Sequence, residues 1–299
     1  MQRVEPLGLS SLPTETTPLP PVSHSHTWAS VGRAALIGAV LLYLAAVLVG
    51  PMAALLLETR SLGFGQALAA ATSPAALGAL WTSLLLVAIA VAANAVVGTC
   101  AAIAIVRHRF VGRGLVSALC DLPLAVSPVM IGLAFLLLVG EAGALAPILA
   151  AAGVKVVFSF PGLVIATLFV TLPYTVREVA YVLEEIGTSE EEAATTLGAS
   201  PLQTFWRVTL PNIRVALGYG LLMTIARTLG EFGAVLVLGG SISGQTQTAT
   251  TFIHDAIEER QLEGAYGMAL VLAATSVALL LGLEWAKARR QAAHGKATA

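Results

Sequence analysis

Long, mainly apolar runs, parted by short polar segments, dominate this chain. Residues 34–57, 77–106, 115–139, 160–182, 213–238 and 266–286 form six such runs, each of 21 to 30 residues. At a helical rise of 1.5 Å, about 20 residues cross the roughly 30 Å hydrocarbon core of a bilayer. The pattern therefore predicts an all-α polytopic membrane protein with six transmembrane helices. Prolines mark weak points: Pro161 and Pro173 fall near the ends of the fourth run, and Pro123 and Pro128 near the start of the third. The latter pair predicts a locally broken helix, whose freed backbone groups must face protein or water. Residues 1–30 carry five prolines among Ser and Thr without apolar periodicity, which predicts a disordered, cytoplasmic, Pro-rich tail. The membrane domain is expected over 31–290, followed by a short tail over 291–299.

One polar stretch interrupts the lipid-like sequence: EEEAATTLGASPLQTFWRVTLP, residues 190–211. Ser189 precedes Glu192 by three residues, and Ser200 precedes Gln203 by three, the spacing of two successive capping boxes. Pro201 suits a first helical position, and Gly198 suits the left-handed residue that closes a helix. The expected structure is a short helix over 190–197, a turn, and a second helix running from Pro201 toward Pro211. Ala193 and Ala194 allow close approach by a partner, while Leu202, Phe205 and Trp206 supply apolar anchor surface. Glu192 has two readings, a helix cap and a direct partner contact.

Composition places the chain in the bilayer: 57% of residues are hydrophobic and 11% charged, against roughly 25% charged in soluble domains, and the mean hydropathy is +0.85. Net charge says little, but the distribution of Lys and Arg sets orientation. With a cytoplasmic N-terminus, twelve basic residues fall inside and three, Arg60, Lys155 and Arg260, fall outside, while Arg227 lies within the fifth run. Both termini are therefore expected in the cytoplasm, with the polar knuckle inside a cytoplasmic loop over about 184–212. Cys100 and Cys120 read as small apolar packing residues. His24 and His26 have no further metal ligands nearby. With His108, His254 and His294 they all lie outside the runs, which weighs against an intramembrane metal or haem enzyme. No GxxxxGK[ST] phosphate loop is present, so ATP hydrolysis by that mechanism is excluded. A self-contained channel would have no use for such a capped knuckle.

The order Glu192-Ala193-Ala194, three residues, Gly198, nine residues, Val208-x-Leu210-Pro211 resembles the EAA loop of bacterial ABC importer permeases, with Val208 where Ile is usual. A narrower resemblance covers about residues 75–260. LPLAVSPVMIGLAFLLL, FSFPGLVIATLFVTLPYTVRE and ARTLGEFGAVLVLGGSISGQTQT are similar to the sulfate/thiosulfate permeases of the CysW type, with molybdate permeases close by. Gln245 stands where relatives often have Lys. The resemblance implies a type I importer (MetI-like) permease fold in the bacterial inner membrane. It implies a non-catalytic subunit moving sulfate or another oxyanion. It also implies that residues 192–211, including Leu210 and Pro211, dock into an ATP-hydrolysing subunit. Expected partners are two ATPase copies, a second homologous but different permease, an extracytoplasmic sulfate-binding protein and membrane lipid, with no nucleic acid. ATP and magnesium would be bound by the ATPase, and this chain would hold no cofactor.

Arg227 and Glu231, four residues apart in the fifth run, are the clearest ionisable pair in the spans. Charges in a bilayer usually face protein or water and often mark a pathway. An anion gate and a self-neutralising structural pair are the two readings. Glycines near this pair, at 218, 220, 230 and 233, suit close helix packing.

Overall fold

The computed structural model describes residues 26–295, with side chains over 35–282. Most of the expected Pro-rich tail, with His24, lies outside the described residues, as do the side chains of His26 and His294. The backbone of the first helix runs from His26, and its side chains are described from Ala35, where the span α1 begins.

The described residues divide after Ala53 into two compact units. In order, the helices are α1 (Ala35–Leu62), α2 (Phe64–Ala71), α3 (Pro74–Arg107), α4 (Arg113–Ala125), α5 (Pro128–Val139), α6 (Ala146–Ala151), α7 (Phe160–Ile186), α8 (Ser189–Thr196), α9 (Pro201–Leu229), α10 (Gly233–Gly239), α11 (Ala249–Glu258) and α12 (Leu262–Gly295). No strand occurs among the described residues. Five helices are long and apolar enough to cross a membrane: α1, α3, α7, α9 and α12 over Leu262–Gly282. Leu36, Leu41 and Leu42 of α1 are exposed, as suits a lipid-facing surface.

The third apolar run is not one helix. α4 ends at Ala125, Val126 and Ser127 are extended, and α5 restarts on Pro128. The cause is local, because a residue before proline is pushed out of the helical region. Pro123, by contrast, is carried inside α4. The fifth run also departs from expectation. It begins earlier, since the helix from Pro201 continues through Pro211 to Leu229, and it breaks at Gly230 before α10. Proline normally clashes with the carbonyl four residues back. Here a wide π turn over Phe205–Thr209 precedes it and re-aims those carbonyls. A second wide turn, Asn94–Gly98, interrupts α3. Pro173 sits inside α7, away from the helix end where it was expected.

α3, α7 and α9 form the centre, and the mode of packing is visible at Thr175. A methyl group on Gly98 of α3 would lie 2.8 Å from Thr175 Cγ2, and one on Gly220 of α9 would lie 2.8 Å from Thr175 Cα. α7 is thus pinched between two glycines. Lipid tails are as apolar as leucine, so close backbone approach and interhelical hydrogen bonds replace hydrophobic drive. Those bonds are present beside the pinch. Fully buried Asn94 donates through Nδ2 to Thr171 Oγ1 at 2.8 Å and to Thr224 Oγ1 at 3.4 Å, and Thr175 and Thr224 hydroxyls lie 3.3 Å apart. Below this node, toward Arg107, the apolar cluster of Ala102, Ile105, Val179, Leu183 and Ile213 fills the space between the same helices. Cys120 is packed at its edge, whereas Cys100 is exposed, in contrast to its expected packing role.

Because the atom opposing Gly220 is backbone, Gly220→Ala is expected to destabilise the protein by about 1–3 kcal/mol, the usual cost of overpacking. Thermal unfolding in detergent should show a lower Tm for this variant, with no drop for Gly78→Ala, where nothing lies within 4 Å.

Candidate functional site

The knuckle folds as two helices around a glycine turn. α8 covers Ser189–Thr196, close to the expected 190–197. The first expected capping box is absent, because Thr188 rather than Ser189 flanks the helix and its backbone is helical instead of extended. Glu192 instead accepts a hydrogen bond from Thr188 Oγ1 at 2.6 Å. The second box forms in full: Gln203 N donates to Ser200 Oγ at 3.3 Å and Ser200 N to Gln203 Oε1 at 2.9 Å. Between them Gly198 takes φ +84°, a conformation that a side chain would strain.

This frame presents an apolar rim. Leu197 is 89% exposed, Leu202 67% and Trp206 60%, and the Trp206 ring meets the half-buried Phe205 edge-on at 5.4 Å. Ala193 and Glu192 are also exposed, and a hollow of about 320 Å³ opens between the two helices, lined by Ala194, Leu197, Gly198, Gln203 and Arg207. Leu210 turns the other way and packs on the core cluster, and Pro211 is exposed at the base of the long helix. Leu197, missed by sequence reading, is the most exposed of these anchors. Its position one residue before the turn glycine was the available signal.

The neighbouring acids fasten the knuckle down. Glu191 Oε2 meets Arg107 Nε at 2.8 Å, and its Oε1 accepts from Thr209 Oγ1 at 2.8 Å. Glu190 Oε2 accepts from Asn212 Nδ2 at 2.6 Å. Consecutive helical residues point about 100° apart. Three glutamates in a row therefore have three different surroundings: a neighbouring asparagine, a largely covered arginine and an exposed threonine at the start of the helix. Sequence reading singled out Glu192 and had no means of telling its neighbours apart.

The second candidate locus lies where two broken helices meet. Arg227 is in the last turn of α9, and Glu231 lies beyond that helix, so the two do not share one helical face as expected. They meet all the same: Arg227 Nη1 lies 2.7 Å from Glu231 Oε2, a close ion contact that falls short of hydrogen-bond alignment. Glu231 is buried, and its other oxygen accepts from Ala234 N at 3.0 Å, while its carbonyl accepts from Thr250 Oγ1 at 2.7 Å. Gly233 is the next contact: a methyl group there would stand 3.0 Å from Val129 N, at the restart of α5. Both backbone breaks, before Pro128 and before Gly233, are therefore adjacent. Arg227 keeps 27% of its side chain accessible. The arrangement can present one cation to a small anion while its carboxylate partner stays inside. Among the described residues no cluster of three metal-ligating side chains occurs.

Residues 94–289 match the family described as binding-protein-dependent transport system inner membrane component. The chain belongs to this family. The match takes in both the knuckle and the paired breaks. Over 247 residues this inner-membrane component is 43% identical to the sulfate transport system permease protein CysW of Synechococcus elongatus, covering 83% of this chain and 86% of that one. It is 41% identical over 249 residues to the CysW protein of Escherichia coli K12, with the same coverage. A crystal structure of a bacterial ABC transporter involved in the import of the acidic polysaccharide alginate superposes with a TM-score of 0.73 over 88% of this chain and 99% of its own, at 18% identity. The fold is that of an ABC importer permease, and the chain is a multi-pass, non-catalytic membrane subunit.

Removing one partner of a buried ion pair strands the other, typically at about 3–5 kcal/mol. Arg227→Gln is expected to destabilise to that extent, and adding Glu231→Gln should recover most of the loss, since the amide oxygen can still accept from Ala234 N. Thermal unfolding of the two variants in detergent checks this, and equal losses would exclude the ion pair as the cause. Loss of the Ser200 cap is smaller: Ser200→Ala is expected to cost about 1 kcal/mol, visible as faster hydrogen exchange over 201–204.

Proposed function

We propose that this chain is the membrane-spanning permease subunit of an ATP-driven importer for sulfate or thiosulfate. The observation that carries the cargo assignment is 41–45% identity to sulfate permeases of the CysW type over more than four-fifths of the chain. Permeases named CysT, of Salmonella typhimurium and Escherichia coli, are also relatives, at 34–35%. Two related but distinct sulfate permease chains support a heterodimer in which this chain takes one place and a homologue the other. An alginate importer crystallised with its periplasmic protein supports a substrate-delivering partner on the outer side. Both termini and the knuckle lie in the cytoplasm on this reading, in keeping with the basic residues.

Two ATPase subunits, holding ATP and magnesium, complete the assembly. The knuckle is suited to one of them. The short helix α8, set across the Gly198 turn from the capped start of α9, behaves as a peg, and exposed Leu197, Leu202 and Trp206 around a hollow are the anchors an interface needs. Glu192, Ala193 and Ala194 lie on α8, with Gly198 in the turn that follows it. Closure of the ATPases then pushes the peg and biases the permease between inward- and outward-facing states, each nucleotide state favouring one of them. Arg227, beside the two backbone breaks, offers a transient positive contact to a divalent oxyanion. Its partner Glu231 limits how tightly the anion is held, which suits passage more than storage.

In a strain lacking its own sulfate permeases, co-expression of this chain with its cognate partners should restore uptake of labelled sulfate. Restoration of molybdate uptake alone would overturn the cargo assignment. Leu202→Asp should weaken capture of the ATPase about 30-fold, the equivalent of a 2 kcal/mol hot spot, measured by co-purification from membranes.

A further inference from the structure

A guanidinium group has five N–H donors in a planar fork, and a single charge contact leaves most of them free. Arg107, the last residue of α3, spends its fork on three acceptors. Nε meets Glu191 Oε2 at 2.8 Å, Nη1 donates to Leu183 O at 2.9 Å and Nη2 to Gly187 O at 2.7 Å. Its side chain is 11% accessible. Leu183 and Gly187 belong to the end of α7 and the turn that leads into the knuckle, and Glu191 belongs to the knuckle itself. Glu191 in turn accepts from Thr209 at the base of α9. The Arg107–Glu191 pair and the hydrogen bonds around it therefore tie together α3, α7, α8 and α9.

α7 and α9 are joined to the knuckle through the chain and must follow it when it moves. α3 has no such link. Among the described residues it is bonded to this group through Arg107 at one end and through Asn94 about 20 Å away along the helix, where Asn94 bonds to Thr171 and Thr224. Between them the wide turn Asn94–Gly98 interrupts regular hydrogen bonding, and the segment Thr99–Arg107 follows it as a rigid lever.

We propose that Arg107 is a positioning residue for transport. Through Glu191 it passes movement of the ATPase-docked knuckle sideways into α3, which swings its Thr99–Arg107 segment about the Asn94 node. The inference rests on the knuckle docking an ATPase as described above. Without Arg107 the knuckle still moves α7 and α9, while the Thr99–Arg107 end of α3 loses the ion pair and both carbonyl bonds; without Glu191 alone it loses its direct link to α8 and keeps the two bonds to the end of α7.

The test uses the complete transporter, with both permeases and both ATPases, in proteoliposomes supplied with sulfate-loaded binding protein. Sulfate moved per ATP hydrolysed is measured for the wild type, Arg107→Gln, Glu191→Gln and the double variant. The expected result is at least about a fivefold fall in that ratio, the lower end of usual coupling strengths. The double variant should be no worse than the poorer single, and Arg107→Lys intermediate. An unchanged ratio in either single variant overturns the inference, even if uptake and hydrolysis fall together. Should Arg107→Gln fail to assemble, Glu191→Gln decides, because it leaves both carbonyl bonds in place. A wild-type chain that captures no ATPase would overturn the docking reading and this one with it, whereas capture with an unchanged ratio overturns this one alone.

Discussion

Close approach at Thr175 is the constraint on which the rest of the fold depends. With lipid outside, apolar burial does little to choose between one helix arrangement and another. The choice falls to shape and to polar bonds that lipid cannot supply. Gly98 and Gly220 let α3 and α9 reach the backbone of α7, and at that distance the hydroxyls of Thr171, Thr175 and Thr224 come within reach of Asn94. A wider spacing would leave those groups unpaired in a medium without water, so the glycines and the hydroxyls enforce one another.

The same rule explains where the backbone is allowed to be irregular. Open N–H and C=O groups are tolerated at membrane depth only against protein or water. Both breaks here, before Pro128 and before Gly233, satisfy it by adjoining each other. Glu231 bonds to Ala234 N and Thr250 bonds to the Glu231 carbonyl, so loose ends of one break are taken up locally. An accessible cation, Arg227, thereby stands beside the least regular part of the spans without an isolated buried charge.

Much of this was legible in the sequence. The apolar runs located α1, α3, α7, α9 and α12, and Ser200, Pro201 and Gly198 specified the second cap and the turn. The break at Pro128 followed from proline chemistry, which is local. What escaped is what depends on neighbours. A wide turn at Phe205–Thr209 carried the helix through Pro211, and no residue type announces such a turn. A break after Leu229 replaced a continuous fifth helix, and the loose ends there are taken up by Ala234 N on the Glu231 carboxylate and by Thr250 on the Glu231 carbonyl, pairings that no apolar run signals. Arg107 looked like one more basic residue at a membrane edge, and its three acceptors lie about 80 residues away in the chain.

The wide turn in α3 has a meaning for how the helix could have arisen and how it can be altered. Five residues, Asn94 to Gly98, occupy a turn that otherwise holds about four, so one residue there is surplus to the regular register. Taking out exposed Val96 would restore a plain α-helix and leave Asn94 facing Thr171 and Arg107 facing Glu191. Taking out a residue elsewhere between them would rotate one end by about 100° relative to the other. The turn therefore behaves as an absorbed insertion, and as the one place where this membrane helix can be shortened without losing its phase.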